Sequence, residues 1–359
     1  MSQLGLGMAP DDAPARRRRS RGPLAVLIAV VALAVVALGA VLGLKSLTAG
    51  STDFQGEGTG SVTVVVKKGD SLSQIGRTLA AAGVVADESA FVDAASGDPK
   101  AQGISPGTYV LRSGMSGTAA VALMLDPESR KVAKVVVPEG LRMEKTLAIA
   151  SKATGIPLDD LKAAAAKSAS LGLPEYADGN PEGFLFPATY EFEPSATADD
   201  VVKAMLTRFD QAATDLDLES AAAQRGLDPL DVVTIASILE VEVAPADYGK
   251  AARVLYNRLD KGMRLQLDST VNYALGKSEL KLSAADLAVD SPYNTYKVKG
   301  LPPGPIGSPG EAAIQAALNP DDGSWLYWVT TDVDSRTTEF ATTYDQFLVL
   351  KKKFQANAG

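Results

Sequence analysis

The sequence predicts an α+β fold: an N-terminal transmembrane helix, a small α+β domain, then a mostly helical domain with short strands. Three observations lead there. A run of 21 apolar residues without a charge stands near the start of the chain. Alanine is abundant and aromatics make up only 6% of the residues, which favours helix. Short β-branched runs end in glycine turns and lead into segments with apolar residues at helical spacing. A chain of 359 residues that is 46% hydrophobic can bury a sizeable core, and its length suggests two domains plus extra segments.

Residues 1–23 form a basic tail ending in "RRRRSRGP", and "LAVLIAVVALAVVALGAVLGL" follows at 24–44. At about 1.5 Å per residue that run spans roughly 30 Å, the thickness of a bilayer core, and a transmembrane helix is assigned to 24–47. It is apolar on every side, which does not suit an amphipathic core helix. Cleavage as a signal peptide after "LGA" at 38–40 is the alternative. The basic cluster ahead of the helix puts the first residues in the cytoplasm and the body outside, giving a single-pass anchor in the cytoplasmic membrane. Beyond residue 50 the chain holds 29 basic and 41 acidic residues, a net charge of −12. Such a body repels a phosphate backbone, so nucleic acid is not expected as a partner.

"TAGSTDFQGEGTGS" (48–61) is polar and glycine-rich and reads as a flexible linker. The small α+β domain is expected over 62–133. "VTVVVKKGDSLSQIGRTLAAAGVV" gives a strand, a Gly-Asp turn, and a helix opened by a Ser71-x-x-Gln74 capping box and closed before Gly83. A helix at 88–95, a strand at 107–111 and a helix at 117–125 complete it. "KKGDSLSQI" resembles a LysM module, a small fold that binds glycans containing N-acetylglucosamine. The pattern recurs about 70 residues later in "VVVPEGLRMEKTLAIASKATGI" (135–156), either as a true repeat or because strand-turn-helix is common.

From 134 to 359 the chain is predicted to be mostly helical, with helices at 143–153, 158–166, 198–223, 231–243, 248–261, 309–318 and 343–356. Strands at 325–331 and 336–341 are expected to pair as a hairpin. Between the helices lie "EGFLFPATYEF" (182–192) and the turn-rich "SPYNTYKVKGLPPGPIGSPG" (291–310).

The chain contains no Cys and no His, which excludes disulfides, thiol chemistry, Ser-His-Asp triads and the common zinc sites. No calcium loop is visible, and no metal or cofactor is expected. Carboxylates become the candidates for acid-base work. On "DVVTIASILEVEV" (231–243), Val232, Val233, Ile235, Ala236, Ile238 and Leu239 wrap most of a helix, which predicts burial. Glu240 then falls in or beside an apolar wall, with Glu242 about 200° further round. Desolvation disfavours a charged carboxyl, which suits Glu240 to a general-acid role. The residues alone favour a blander reading, a last-turn glutamate turned to solvent. Downstream, "NRLDKGMRLQLDSTVNYALG" gathers Gln266, Asp268, Ser269, Thr270, Asn272 and Tyr273, with Asp268 or Ser269 expected to cap the "STVNYAL" helix. The loop after it adds Tyr293, Asn294, Thr295 and Tyr296. Tyrosines and amides beside a glutamate suit a sugar groove, and they also fill ordinary loops.

"EGFLFPATYEF", "IASILEVEV", "VLYNRLDKGMRLQLDSTVNYALG", "SPYNTYKVKGLPPGPIGSPG" and "AALNP", in this order, resemble the MltG-type (YceG-like) endolytic murein transglycosylases. The resemblance runs from about Val62 to the C-terminus and makes 134–359 the catalytic domain. It implies Glu240 as the catalytic acid/base, with Glu242, Gln266, Asp268, Thr270, Tyr273, Asn294 and Tyr296 lining a substrate cleft. This chain departs from the family at Val243, where Thr or Ser is common, and at Thr338, where members carry a His. The implied reaction cleaves the bond between N-acetylmuramic acid and N-acetylglucosamine in nascent peptidoglycan strands and leaves 1,6-anhydro ends, so terminating strands. One glutamate serves as acid and then base, unlike the two carboxyls of ordinary glycosidases. The resemblance also implies glycan polymerases or divisome proteins as neighbours. A membrane-tethered glycan-binding scaffold without activity, and a hydrolytic muramidase using Asp268 or Glu242 as partner, are the alternatives.

Overall fold

The computed structural model describes residues 53–279, 281–332 and 337–357. The basic tail, the expected span at 24–47 and the first residues of the linker lie outside them. Among the described residues no helix is long and apolar enough to cross a membrane. The described chain divides into two compact units, one ending at Ser129 and one beginning at Arg130.

The first unit runs β1 (Glu57–Val66), α1 (Leu72–Ala81), α2 (Glu88–Gly97), β2 (Gly107–Met115) and α3 (Gly117–Leu125). β1 and β2 pair antiparallel, with Val64 opposite Tyr109. Strand alternation turns Val64 and Val66 into a core with Ile75, Leu79, Phe91 and Leu111 and leaves Val65 outside. The capping box forms in both directions: the Gln74 amide donates to Ser71 Oγ, and the Ser71 amide donates to Gln74 Oε1. The linker reading needs correction at 57–61, which belong to β1. β2 continues to Met115 and supplies partners, while Gly58 and Gly60 take positive φ where the register shifts between Thr59 and Val62.

In the second unit, β3 (Ala133–Val136) pairs antiparallel with β4 (Thr189–Phe192). α4 (Met143–Thr154) and α5 (Leu158–Ala166) lie between them in sequence. β3, a turn at Gly140 (φ 73°) and α4 repeat the order of β1, the turn at Gly69 (φ 91°) and α1. The single helix expected at 198–223 is two, α6 (Ala198–Asp215) and α7 (Leu218–Gln224). Asp217 breaks it by taking the left-handed conformation at φ 48°, and Leu218 turns into the core.

Then come α8 (Pro229–Glu242), α9 (Tyr248–Asp260), α10 (Asp268–Ala274), the short α11 (Ala284–Leu287) and α12 (Glu311–Leu318). The hairpin β5 (Tyr327–Asp332) and β6 (Thr337–Ala341) follows, and α13 (Tyr344–Asn357) closes the order. α8 is the axis of this unit: every residue from Val232 to Leu239 is buried. Pro229 starts it at a position where no amide is needed, and the helix stops at Glu242 because Ala244, ahead of Pro245, must be extended.

Candidate active site

Three segments meet at the C-terminal end of α8. The turn at 137–142 is laced to the 304–310 loop by two backbone bonds, from the Gly140 amide to Ser308 O (2.8 Å) and from the Ser308 amide to Leu141 O (2.8 Å). The backbones come so close that a Cβ on Gly307 would stand 2.9 Å from Gly140 O. Ser237 ties the loop to α8: its Oγ accepts from the Ile306 amide at 3.0 Å and donates to Thr234 O at 2.7 Å.

The two glutamates of "ILEVEV" enter different surroundings. Glu240 is half-buried and fully engaged: Tyr248 Oη donates to Oε1 at 2.6 Å and the Gly310 amide, at the N-terminus of α12, donates to Oε2 at 3.0 Å. Glu139 packs beside it, and burial together with the Glu240 charge moves the Glu139 carboxyl up from its ordinary value. Glu242, expected in a supporting or solvated position, is likewise part-buried, and it lines the cleft described below. Burial raises its pKa first, and the Asp268 charge adds to this, against Ser269, whose hydroxyl and amide face the carboxyl, and against Arg258. Its place in the last turn of α8, at the negative end of the helix dipole, also disfavours the anion.

Glu242 and Asp268 together line two adjoining cavities of about 360 and 430 Å³. One is polar, with Arg142, Lys145, Ser269, Asn272 and Glu279 on its walls; the other is aromatic, with Tyr296, Tyr327, Trp328, Tyr344 and Phe347. The cleft therefore has two arms joined at Glu242. Asp268 is held at the junction by Tyr296 Oη, which donates to Oδ1 at 2.6 Å. Gln266 opens α10 from a left-handed backbone (φ 53°), a strained conformation for a residue with a side chain, and its side chain borders the aromatic arm. Arg258 braces this arm by donating to Leu326 O and Leu265 O beneath the Tyr327 ring.

Of the residues expected to line the cleft, Glu242, Gln266, Asp268 and Tyr296 do so. Glu240, Thr270, Tyr273 and Asn294 do not line these arms, and each has a packing reason. Asn294 is fully buried, and its Nδ2 donates to Leu287 O and Val289 O. Thr270 is buried against Thr295 and donates to Leu267 O. Tyr273 packs at a tilt against Tyr293, donates to the buried Glu182 at 3.3 Å and lies under the Arg142 guanidinium. Neither Asp268 nor Ser269 caps α10: its N-cap is Leu267, and no side chain caps the helix.

Sequence reasoning missed Arg142, Lys145 and the aromatic wall from the hairpin and α13, and gave Ser269 only as a helix-cap candidate. The "PEGLRMEK" stretch held a usable signal, two cations placed just past a glycine turn.

A part-buried carboxyl where a polar arm meets an aromatic arm defines a carboxylate-centred cleft open to an extended ligand. The model of the YceG-like family matches residues 64–353. An endolytic murein transglycosylase of Bacillus subtilis is 33% identical over 285 residues, 75% of this chain and 78% of that protein. One from Streptococcus pneumoniae is 29% identical over 335 residues, 85% of this chain and 60% of that longer protein. Among solved structures, a yceG-like protein from Listeria monocytogenes superposes with a TM-score of 0.55 at 29% identity, covering 81% of this chain and 99% of that one. The chain belongs to the YceG-like family.

Proposed function

We propose that this protein is an endolytic lytic transglycosylase of peptidoglycan in which Glu242 is the acid and then the base. The observation that carries the reading is the position of the part-buried Glu242 carboxyl at the point shared by the two arms, where desolvation favours its proton. Relatives named endolytic murein transglycosylase support the substrate class.

A glycan strand lies across both arms, one sugar on the aromatic wall and its neighbour on the polar side. Glu242 donates its proton to the oxygen linking N-acetylmuramic acid to N-acetylglucosamine, and the bond from that oxygen to C1 breaks. The Asp268 carboxylate, beside the same point, stabilises the positive charge that develops at the sugar. The 6-hydroxyl oxygen of the muramyl residue then bonds to C1 and passes its proton to the Glu242 carboxylate, which restores the acid and closes the 1,6-anhydro ring. No water is consumed.

The proximity of Asp268 to Glu242 also favours a second reading, hydrolysis with two carboxyls. Digestion of uncrosslinked strands followed by mass measurement of the new ends separates the two: anhydro ends are expected, and hydrated reducing ends assign a muramidase. Failure of the protein to cut at all leaves the scaffold reading. We further propose that residues 24–47 anchor the protein in the cytoplasmic membrane with its body outside. On this reading the first unit is a LysM-like glycan-holding module, expected to bind chitooligosaccharides in titration calorimetry.

A further inference from the structure

We infer that the polar arm is a carboxylate-binding subsite, built on Arg142 and Lys145, for the anionic substituent of the muramyl sugar. The inference rests on the cleft reading above and adds what the enzyme recognises beyond the sugar backbone.

Arg142 is the N-cap of α4, set by the Gly140 turn, and Lys145 stands in the first turn of the same helix. Both side chains line the arm that begins at Glu242. Arg142 is positioned in three ways: Nη2 donates to Lys277 O at 2.6 Å, the guanidinium lies over the Tyr273 ring at 5.2 Å, and the buried Glu182 acts on it electrostatically from behind. Glu182 is itself fixed, 5% exposed, accepting from the Met143 amide at 2.9 Å and from Tyr273 Oη. Neither Arg142 nor Lys145 lies within ion-pair distance of an acidic side chain among the described residues. A guanidinium held by one edge against a carbonyl and a ring keeps other N–H donors for a planar, bidentate carboxylate partner. Glu242, Asp268 and Glu279 line the same arm, so an anion is accommodated only where it lies against Arg142 and Lys145.

The muramyl residue carries such a group. Its lactyl side arm ends in a carboxylate on bare strands, and in a peptide with further carboxylates on substituted ones. With the acid at the muramyl C1 linkage, that side arm leaves the same ring at C3, two carbons from the reacting centre, and the polar arm next to Glu242 is the place for it. The shared chemistry is a carboxylate on the lactyl branch.

The test uses the wild type and the double variant R142Q/K145Q on three uncrosslinked substrates: strands with free peptide carboxylates, peptide-stripped strands with lactyl carboxylates, and strands whose carboxylates are all converted to amides. The variant is expected to raise KM by about tenfold or more on charged strands, the loss of one or two charged hydrogen bonds, with kcat little changed. On amidated strands wild type and variant are expected to coincide. A penalty on the peptide-bearing strands alone assigns the peptide carboxylate, and one on stripped strands as well assigns the lactyl group. R142K, which keeps the charge without the fork, is expected to recover part of the loss. Equal penalties on charged and amidated strands, or none on either, overturn the subsite. A wild type that cuts none of the three overturns the enzymatic reading instead.

Discussion

Replacing Glu242 by Gln tests the site most sharply, because the structure separates its effect on chemistry from its effect on folding. Gln matches the shape of Glu and removes only the transferable proton. General acid-base catalysis contributes about 10²–10⁴-fold, and one group serving both half-reactions belongs toward the upper end. A loss of about 10³-fold, about 4 kcal/mol in the barrier, is expected in the rate of anhydro-end formation. The fold responds in the opposite direction. The Glu242 pKa is raised above its ordinary 4.5 by burial, so the unfolded chain releases this proton at a lower pH than the folded one. Stability therefore falls as pH climbs from the unfolded value to the folded value, and levels off above it. Gln has no such loss, so the variant should match the wild type near pH 4 and equal or exceed it at pH 8 by thermal melting.

Glu240→Gln is the control. Both Glu240 oxygens accept hydrogen bonds, so a carboxamide keeps the Gly310 amide only by turning its NH₂ to the Tyr248 hydroxyl, which must then accept and loses its carboxylate partner. The mismatch costs about 1–3 kcal/mol, roughly 2–10 °C of melting temperature for a unit of this size. Activity per folded molecule should survive. A stable, inactive Glu240→Gln beside an active Glu242→Gln would return the acid to Glu240 and refute the assignment.

Other expectations concern the surroundings. In the pH dependence of kcat/KM, the limb that falls with rising pH should have its midpoint above 4.5, since burial favours the protonated acid, and Glu242→Gln should erase this limb from its residual activity. Asn294→Ala should lower the melting temperature while leaving KM per folded molecule little changed, because the carboxamide bonds only to backbone groups and its loss strips a partner from the part-buried Leu287 and Val289 carbonyls and from the Tyr296 amide, a cost of about 2 kcal/mol or more. Trp328→Ala should raise KM for glycan strands about tenfold through loss of a stacking face in the aromatic arm, as strand-binding titrations can measure, and should also lower the melting temperature, because the ring packs against the core. Gly307→Ala should cost about 1–3 kcal/mol and raise KM as well, because the new methyl meets the Gly140 carbonyl and moves the turn that carries Arg142.

The periodic parts of the chain were legible. Ser71 and Gln74 announce α1, Pro229 and the apolar run announce α8, and the β-branched pairs at 327–341 announce a hairpin, because capping and hydrophobic spacing act over a few residues. The break at Asp217 was not legible, since a left-handed Asp leaves the alanine-rich pattern unchanged. In the site, Asp268, Gln266 and Tyr296 were found because they crowd into two polar loops. Thr270 and Asn294 came with them and are buried within the loops: composition cannot tell an amide that faces a ligand from one that closes a loop.

The sequence by itself determined that this chain works without Cys or His, that a buried helix carries two glutamates at its end, and which loops follow it. Those facts are local, written in residue type and helical period. Only the tertiary structure gives Glu240 and Glu242 different surroundings, on which the proposal of Glu242 as the acid rests. The choice depends on what arrives from elsewhere in the chain: the Gly310 amide and Tyr248 engage one carboxyl, while Asp268, Ser269 and the walls of two cavities enclose the other. Helical geometry sets two side chains 200° apart, and packing determines which of them meets the cleft.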